Sequence, residues 1–349
     1  MTSFVLPEPR DTDPRAAPVL RWAILAPGEI AGDFVSALHA HTDQAVVAVG
    51  SRSADRAAAF ASAHGIERSY SSYAAAVADP SVDVVYVAAP HSEHARLALL
   101  AIEAGKHVLV EKPLALTADQ GRRVADAARR ARVFAMEAMW TRYLPQSDVL
   151  RRLLEAGDLG DVRLVTADFA SGPVRGDGGR MLEAALGGGG LLDLGVYVVS
   201  FASAVLGTPD AVTVRGSLGP TGVDLQASLI LDHASGAQAL LVAGLAARTP
   251  WTATVAGSAA RVEVASPFWA ASGLRVVGAD GGLLAEWVDP YGRPGRQGLC
   301  YQAAALARYV AEGRTESPRH PLDEAVAVLA TIDEARHALG YADPPEWAR

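Results

Sequence analysis

Residues 21–31 read Arg21-Trp22-Ala23-Ile24-Leu25-Ala26-Pro27-Gly28-Glu29-Ile30-Ala31: a short apolar run, a tight turn and the opening of a helix. The turn follows the G-x-G-x-x-G/A phosphate-loop pattern, with Ala26 in place of the first glycine. Gly28 stands where backbone must come close to a pyrophosphate, and Ala31 where the helix packs on the strand. Free N–H groups and the positive dipole at a helix start attract phosphate. Ala26, Gly28, Glu29 and Ile30 are therefore candidate cofactor residues. A degenerate glycine loop is a weak signal alone, and its weight comes from its place between a strand and a helix.

The flanking sequence repeats the alternation. Strands are expected over 21–26, 45–51, 82–88, 107–110 and 133–137, and helices over 29–39, 53–64, 94–104 and 118–130. Apolar strands separated by helices predict a doubly wound parallel sheet, the Rossmann arrangement. After Tyr143 the pattern changes. A helix over 147–156, a strand over 162–170, a glycine run at 187–190 and a helix over 191–205 lead into short strands. These cover 212–217, 225–231, 237–243, 252–255 and 260–264, set apart by Gly, Asp and Pro, and predict a mostly antiparallel open sheet. Helices over 301–312 and 322–339 close the chain. The fold class is α/β, with three expected regions. Residues 1–18, rich in proline and charge, read as a disordered tail; 19–142 as the dinucleotide-binding domain; and 143–349 as an α+β domain for substrate binding and oligomerisation.

The 349 residues carry a net charge of −8, which argues against nucleic acid or an anionic membrane as the main partner. A small anionic cofactor needs only one or two local cations and is not excluded. One cysteine, Cys300, rules out an intrachain disulfide and a cysteine-rich zinc site. The nine histidines show no metal spacing, since His91 and His94 at i and i+3 make half a site at most, so no metal is expected. No run is read as apolar enough to span a bilayer, and the first 18 residues lack a signal-peptide core. A cytoplasmic location is expected.

Two further stretches carry chemistry. The second strand ends in Gly50-Ser51-Arg52-Ser53-Ala54-Asp55-Arg56. A site for NAD usually places Asp or Glu there to bind the ribose 2′-hydroxyl. Ser51, Arg52 and Arg56 instead suit a 2′-phosphate, which a carboxylate would repel, so NADP is expected, with NAD the alternative. Lys112 ends the fourth strand, at the carboxyl edge where ligands bind in such sheets, and the Lys112–Pro113 bond is a candidate cis peptide. Asp193 and Tyr197, four apart on one helix face, could serve a carbonyl that accepts hydride and then needs a proton. Tyrosine is a poor base at neutral pH unless a cation favours its phenolate, and Lys112 is the candidate.

These blocks and others in order also point to a family. They are Ala89-Pro90-His91-Ser92-Glu93-His94, Gly105-Lys106-His107-Val108-Leu109-Val110-Glu111-Lys112-Pro113, Glu137-Ala138-Met139-Trp140-Thr141-Arg142, and the glycine run leading to Asp193 and Tyr197. From about residue 20 the chain resembles the Gfo/Idh/MocA oxidoreductases, most of all their dihydrodiol and xylose dehydrogenase branch. The resemblance implies that Ala89, Pro90, His91, His94 and Glu111 line the cofactor groove and that Trp140 and Arg142 approach the nicotinamide. It implies Lys112, Trp140, Arg180, Asp193 and Tyr197 on the substrate side, with Tyr197 where much of the family has histidine. It also implies a homodimer or homotetramer through the open sheet. The expected reaction is hydride transfer between NADP and a sugar, polyol or cyclic diol. The alternatives are a silent NADP- and sugar-binding regulator, or a glycoside-processing enzyme with tightly bound NAD.

Overall fold

A computed structural model describes residues 4–173 and 179–341. It divides into two compact units.

The first unit holds Asp13–Tyr143 and Gly295–Val326. Its N-terminal part runs β1 (Arg21–Leu25), α1 (Glu29–His41), β2 (Ala45–Gly50), α2 (Ala54–His64), β3 (Arg68–Tyr70), α3 (Tyr73–Val77), β4 (Val84–Val87), α4 (His94–Glu103), β5 (His107–Glu111), α5 (Ala118–Ala131) and β6 (Ala135–Ala138). The six strands are parallel, in the order β3-β2-β1-β4-β5-β6. The order reverses between β1 and β4, the switch point outside which ligands bind in such sheets. Ser53, Ser72 and Thr117 cap α2, α3 and α5 through their hydroxyl oxygens. Trp22, Phe34 and Tyr86 are fully buried, with Phe34 stacked on Tyr86 at 4.1 Å between ring centroids. Burying side chains of this size contributes about 1.5–3 kcal/mol each.

The second unit holds residues up to Thr12, Leu144–Pro294 and the chain from Ala327. It contains α6 (Pro145–Ala156), β7 (Val162–Ala170), α7 (Val196–Leu206), β8 (Ala211–Leu218), β9 (Asp224–Asp232), β10 (Gln238–Gly244), β11 (Ala253–Gly257), β12 (Ala260–Val264), β13 (Gly273–Gly278) and β14 (Leu283–Val288). The strands form one sheet in the order β14-β13-β12-β11-β7-β10-β9-β8. Every pairing is antiparallel except β7 with β10. α7 packs on β7 and β10. The helical stretch Ala184–Leu206 is long and apolar enough to cross a membrane, which the sequence reading missed; 72% of its most apolar window is buried inside the protein.

The chain ends with α8 (Leu299–Ala311) and α9 (Leu322–Ala338). α8 belongs to the first unit, so the expected boundary at residue 142 misses a returning segment, Gly295–Val326. Beyond β6 the Ala135 N–H donates to the Thr315 carbonyl, and Ala135 pairs with Glu316. The tail is also not as expected. The Arg10 N–H donates to the buried Asp148 at 2.6 Å, its guanidinium reaches the same carboxylate at 3.0 Å, and Ala17 packs on Ala304 and Ala307. A Pro- and charge-rich stretch is ordered here because its arginines meet fixed acceptors. Residues 1–3 of that tail, and 174–178 and 342–349 of the expected second domain, lie outside the described residues. The sequence reading also missed β3, β13 and β14. β3 is three residues, Arg68-Ser69-Tyr70, with no apolar run; β14 is apolar in sequence but is an edge strand that stays mostly exposed.

Candidate active site

In the first unit the turn after β1 leaves backbone N–H groups open at a helix start. Ala26 has φ 63°, the left-handed conformation that the missing glycine would adopt freely. An alanine there costs about 1 kcal/mol, and its N–H is fixed on the Gly50 carbonyl at 3.0 Å. Gly28 is extended, with φ −136°. A Cβ added there would meet nothing closer than the Ala26 carbonyl at 4.0 Å. Neither conformation nor packing demands glycine at 28, so the open space in front of it fits close approach by a phosphate. α1 has no side-chain cap, and its first internal bond runs from the Gly32 N–H to the Gly28 carbonyl at 3.0 Å. That leaves the N–H groups of Glu29, Ile30 and Ala31 for such a ligand. Glu29 and Asp33 would oppose an anion, but both are paired with Arg296, Glu29 at 3.0 Å.

At the end of β2, Ser51 is buried and its hydroxyl accepts the Ser53 N–H at 3.2 Å. Arg56 donates to the Pro27 carbonyl at 3.3 Å, which puts a cation beside the loop. Arg52 is exposed, and among the described residues no acceptor takes its guanidinium. The uncapped N-terminus of α1 and the cations beside it are compatible with a dinucleotide's phosphates.

At the end of β5, Lys112 is half-buried and the Lys112–Pro113 peptide is cis. The turn is held from below. Glu111 accepts the Tyr86 hydroxyl at 2.5 Å and the Lys112 N–H at 3.2 Å, while Glu137 on β6 accepts the Leu114 N–H at 2.7 Å. Burial pushes the Glu111 carboxyl above its ordinary range, against the pull of Tyr86 and Lys112. His94 is fully buried, with Nδ1 2.7 Å from the Pro113 carbonyl and Nε2 2.8 Å from the Ala89 carbonyl, so it ties two turns together. His91 lies edge-on to it at 5.4 Å, with Ala89 and Pro90 half-buried. Trp140 is buried. Arg142, expected near the nicotinamide, donates to both oxygens of Glu324, at 2.8 and 3.1 Å, and to the Arg319 carbonyl at 2.9 Å.

The second unit gathers the remaining candidates. The glycine run is a steric requirement. A Cβ at Gly188 would lie 2.6 Å from the Met181 carbonyl, and one at Gly189, where φ is 114°, would lie 2.4 Å from Asp224 Oδ1. Asp224 Oδ2 accepts the Leu191 N–H at 2.7 Å and its Oδ1 accepts the Tyr341 hydroxyl at 2.5 Å. Burial pushes the Asp224 carboxyl up. The run enters a π-helical turn, Leu191–Gly195, that continues as α7. Such turns are rare and concentrate at functional sites. Asp193 is buried on it, and Arg180 meets its Oδ1 at 3.1 Å, so two of the expected substrate residues come together.

Tyr197 opens α7 beside an aromatic wall. Phe169 is edge-on to it at 5.4 Å, and Trp269 lies 6.5 Å from it and stacks on Phe169 at 5.1 Å. Trp251 completes the wall, 5.6 Å from Phe169. It sits at φ 64°, an outlier for so bulky a residue, held by its N–H to Asp168 at 2.6 Å and its indole N–H to the Ala170 carbonyl at 2.7 Å. Arg248 lies 4.0 Å over its ring. The sequence reading missed Trp251, Trp269 and Arg248. The one available signal was a cluster of tryptophans in short loops, Pro250-Trp251 and Phe268-Trp269.

A Rossmann-type parallel sheet followed in the chain by an open, mostly antiparallel sheet points to a class, the NAD(P)-dependent oxidoreductases. Comparison with known proteins narrows it. Residues 20–139 match the model described as oxidoreductase family, NAD-binding Rossmann fold, and 148–263 match the GFO/IDH/MocA C-terminal domain. A trans-1,2-dihydrobenzene-1,2-diol dehydrogenase from Xenopus laevis is 35% identical over 93% of this chain and 99% of that protein. The 3-ketoreductase KijD10 from Actinomadura kijaniata, solved with NADP and TDP-benzene, is 27% identical with a TM-score of 0.78, over 92% of this chain and 98% of that one. Aldose-aldose oxidoreductase from Caulobacter crescentus, solved with glycerol, is 26% identical with a TM-score of 0.81, again over 92% and 98%. The chain belongs to the Gfo/Idh/MocA family and is an NAD(P)-dependent dehydrogenase.

The glycine run gives a direct test. Gly189→Ala should lower stability by about 2 kcal/mol or more through the clash with Asp224 and the left-handed backbone, and abolish turnover. Thermal melting and an activity assay check this, and an unchanged melt would refute the steric account.

Proposed function

We propose that the chain transfers a hydride between NADP and the CH–OH/C=O group of a sugar, polyol or cyclic diol. In this reading Tyr197 is the acid/base, Lys112 the cation that favours its phenolate, and Asp193, steadied by Arg180, orients a substrate hydroxyl. When bound, the nicotinamide supplies the two-electron acceptor or donor. In the oxidative direction the carbinol C–H bond breaks with loss of hydride, the hydroxyl proton passes to Tyr197, and a carbonyl forms. The aromatic wall beside Tyr197 suits the C–H face of a sugar or the ring of a cyclic diol.

The observation that carries the reading is the choice of lysine at 112. Of 31 basic residues, the sequence spells lysine at two positions, 106 and 112, and arginine elsewhere. Lys106 is used structurally, its ammonium donating to the carbonyls of Asp79 and Val82, each at 2.9 Å. A chain that uses arginine almost everywhere and keeps a compact ammonium at the end of β5 is consistent with a catalytic role there. The dihydrodiol and keto-sugar relatives support the substrate class, and the exposed Arg52 supports NADP over NAD. We also propose that the open sheet pairs with a second copy, since Ile230 and its cross-strand partner Leu240 are about two-fifths exposed on its outer side.

Arg52→Ala should raise the Kd for NADPH about tenfold or more, by removing a charge-assisted bond to the 2′-phosphate, and leave that for NADH nearly unchanged. Equal shifts for both would remove Arg52 from 2′-phosphate recognition. Tyr197→Phe should lower kcat by about 10²–10⁴ with little change in KM. Wild-type turnover in that variant, measured by nicotinamide absorbance across sugars and diols, would overturn the assignment.

A further inference from the structure

Behind the Lys112 turn lies a buried charged cluster that the proposed chemistry does not use. His320, in the loop between α8 and α9, is fully buried, with Nε2 2.6 Å from Glu137 Oε2. The other oxygen of Glu137 accepts the Leu114 N–H at 2.7 Å, two residues beyond Lys112. On the far side of the ring, His320 Nδ1 faces Glu324 at 3.6 Å, an ion-pair approach too long for a hydrogen bond. Arg142 pairs with both oxygens of Glu324. The His320 backbone N–H donates to the buried Ser317 hydroxyl at 3.2 Å, and that oxygen also accepts the Tyr143 hydroxyl at 2.8 Å.

The charged groups facing His320 are thus Glu137 from β6, Glu324 from α9 and Arg142 from the turn after β6. Burial works against charging the ring, but the two carboxylates outweigh it and His320 is raised above its ordinary value. Glu324 is held down to about 2 by His320 and Arg142 in spite of its burial. With the ring charged, the four groups balance to zero, the condition under which such a cluster is tolerable in a protein interior.

We propose that His320 is a positioning residue for Lys112. Its imidazolium grips Glu137, which anchors the Leu114 amide and so fixes the Lys112–Pro113–Leu114 turn. Removing His320 leaves Glu137 buried without its main counter-charge, free to draw water or turn from Leu114, and the ammonium on the preceding residues loses its fixed place. The inference rests on Lys112 acting in catalysis as proposed above. The sign of the pH effect follows from the raised value. The stabilisation from charged His320 is complete below the ordinary histidine value and is lost as pH rises through the folded one.

The test uses the full chain with His320→Leu, His320→Gln and Lys112→Met. His320→Leu should lower kcat about 10- to 100-fold, the scale of a small misplacement of a reacting group, while KM and the Kd for NADPH stay near wild type. His320→Gln, which keeps a donor for Glu137, should recover most of kcat, and its stability should lack the wild-type decline at alkaline pH. Because Lys106 and Lys112 are the two lysines in the sequence, amine labelling read by mass spectrometry gives a second readout. The ratio of Lys112 to Lys106 labelling should change in His320→Leu and return in His320→Gln. In the Lys112→Met background, His320→Leu should cost no further activity.

Wild-type kcat and an unchanged labelling ratio in His320→Leu would overturn the inference, as would a loss that adds fully to that of Lys112→Met. Full turnover by Lys112→Met would instead overturn the catalytic role of the lysine, a separate failure. If His320→Leu does not fold, Glu137→Leu carries the test. It removes the acceptor of the Leu114 N–H, the contact through which His320 acts, and should show the same kcat-selective loss; unchanged kcat in that variant refutes the proposal.

Discussion

A turn that leaves a buried parallel strand must satisfy its backbone amides inside the protein, and the first unit does this at Lys112–Leu114 with two buried carboxylates. Glu111 takes the Lys112 N–H and Glu137 the Leu114 N–H, so the turn is fixed on both sides of the cis peptide. Each carboxylate needs its own partner, since an unpaired buried charge is far costlier than a paired one. Tyr86 supplies one from the core, where its ring stacks on Phe34, and His320 supplies the other from the returning segment. The core packing and the turn that carries Lys112 are therefore one construction.

The second unit meets a comparable demand by steric means. Carbonyl oxygens and Asp224 crowd the glycine run so closely that a single Cβ would displace the backbone. That crowding sets the entry to the π-turn, and the turn sets the direction of Asp193 and Tyr197. The aromatic wall beside Tyr197 depends on a strained Trp251 whose backbone Asp168 holds. Strain stored where residues gather for chemistry is consistent with a preorganised binding face.

Most of the first unit was legible because its strands are apolar runs with helical stretches between them, and β1, β2, β4, β5 and β6 lie within about two residues of where periodicity puts them. Gly28, Lys112 and the glycine run could be singled out in the sequence for separate reasons: a phosphate-loop pattern between strand and helix, a lysine after an apolar strand, and four glycines in a row ahead of a helix. Partners far along the chain left no such mark. Arg296 on Glu29, His320 on Glu137 and Tyr341 on Asp224 are separated by more than 100 residues each, and no spacing rule connects them. Arg142 and His94 were placed beside the cofactor by the resemblance, which does not show the side-chain contacts they make here with Glu324 and with two carbonyls. The tail was misjudged from composition, which shows charge but not the buried Asp148 that receives it.

The proposed dependence of Tyr197 on Lys112 is tested most directly by the pH dependence of kcat for substrate oxidation, in wild type and in Lys112→Met, under conditions where hydride transfer limits the rate. If the ammonium favours the phenolate, the rising limb that reports loss of the tyrosine proton moves to higher pH when Lys112 is removed. A limb that stays in place, with only the plateau lowered, would contradict the pairing and return Lys112 to a purely binding role.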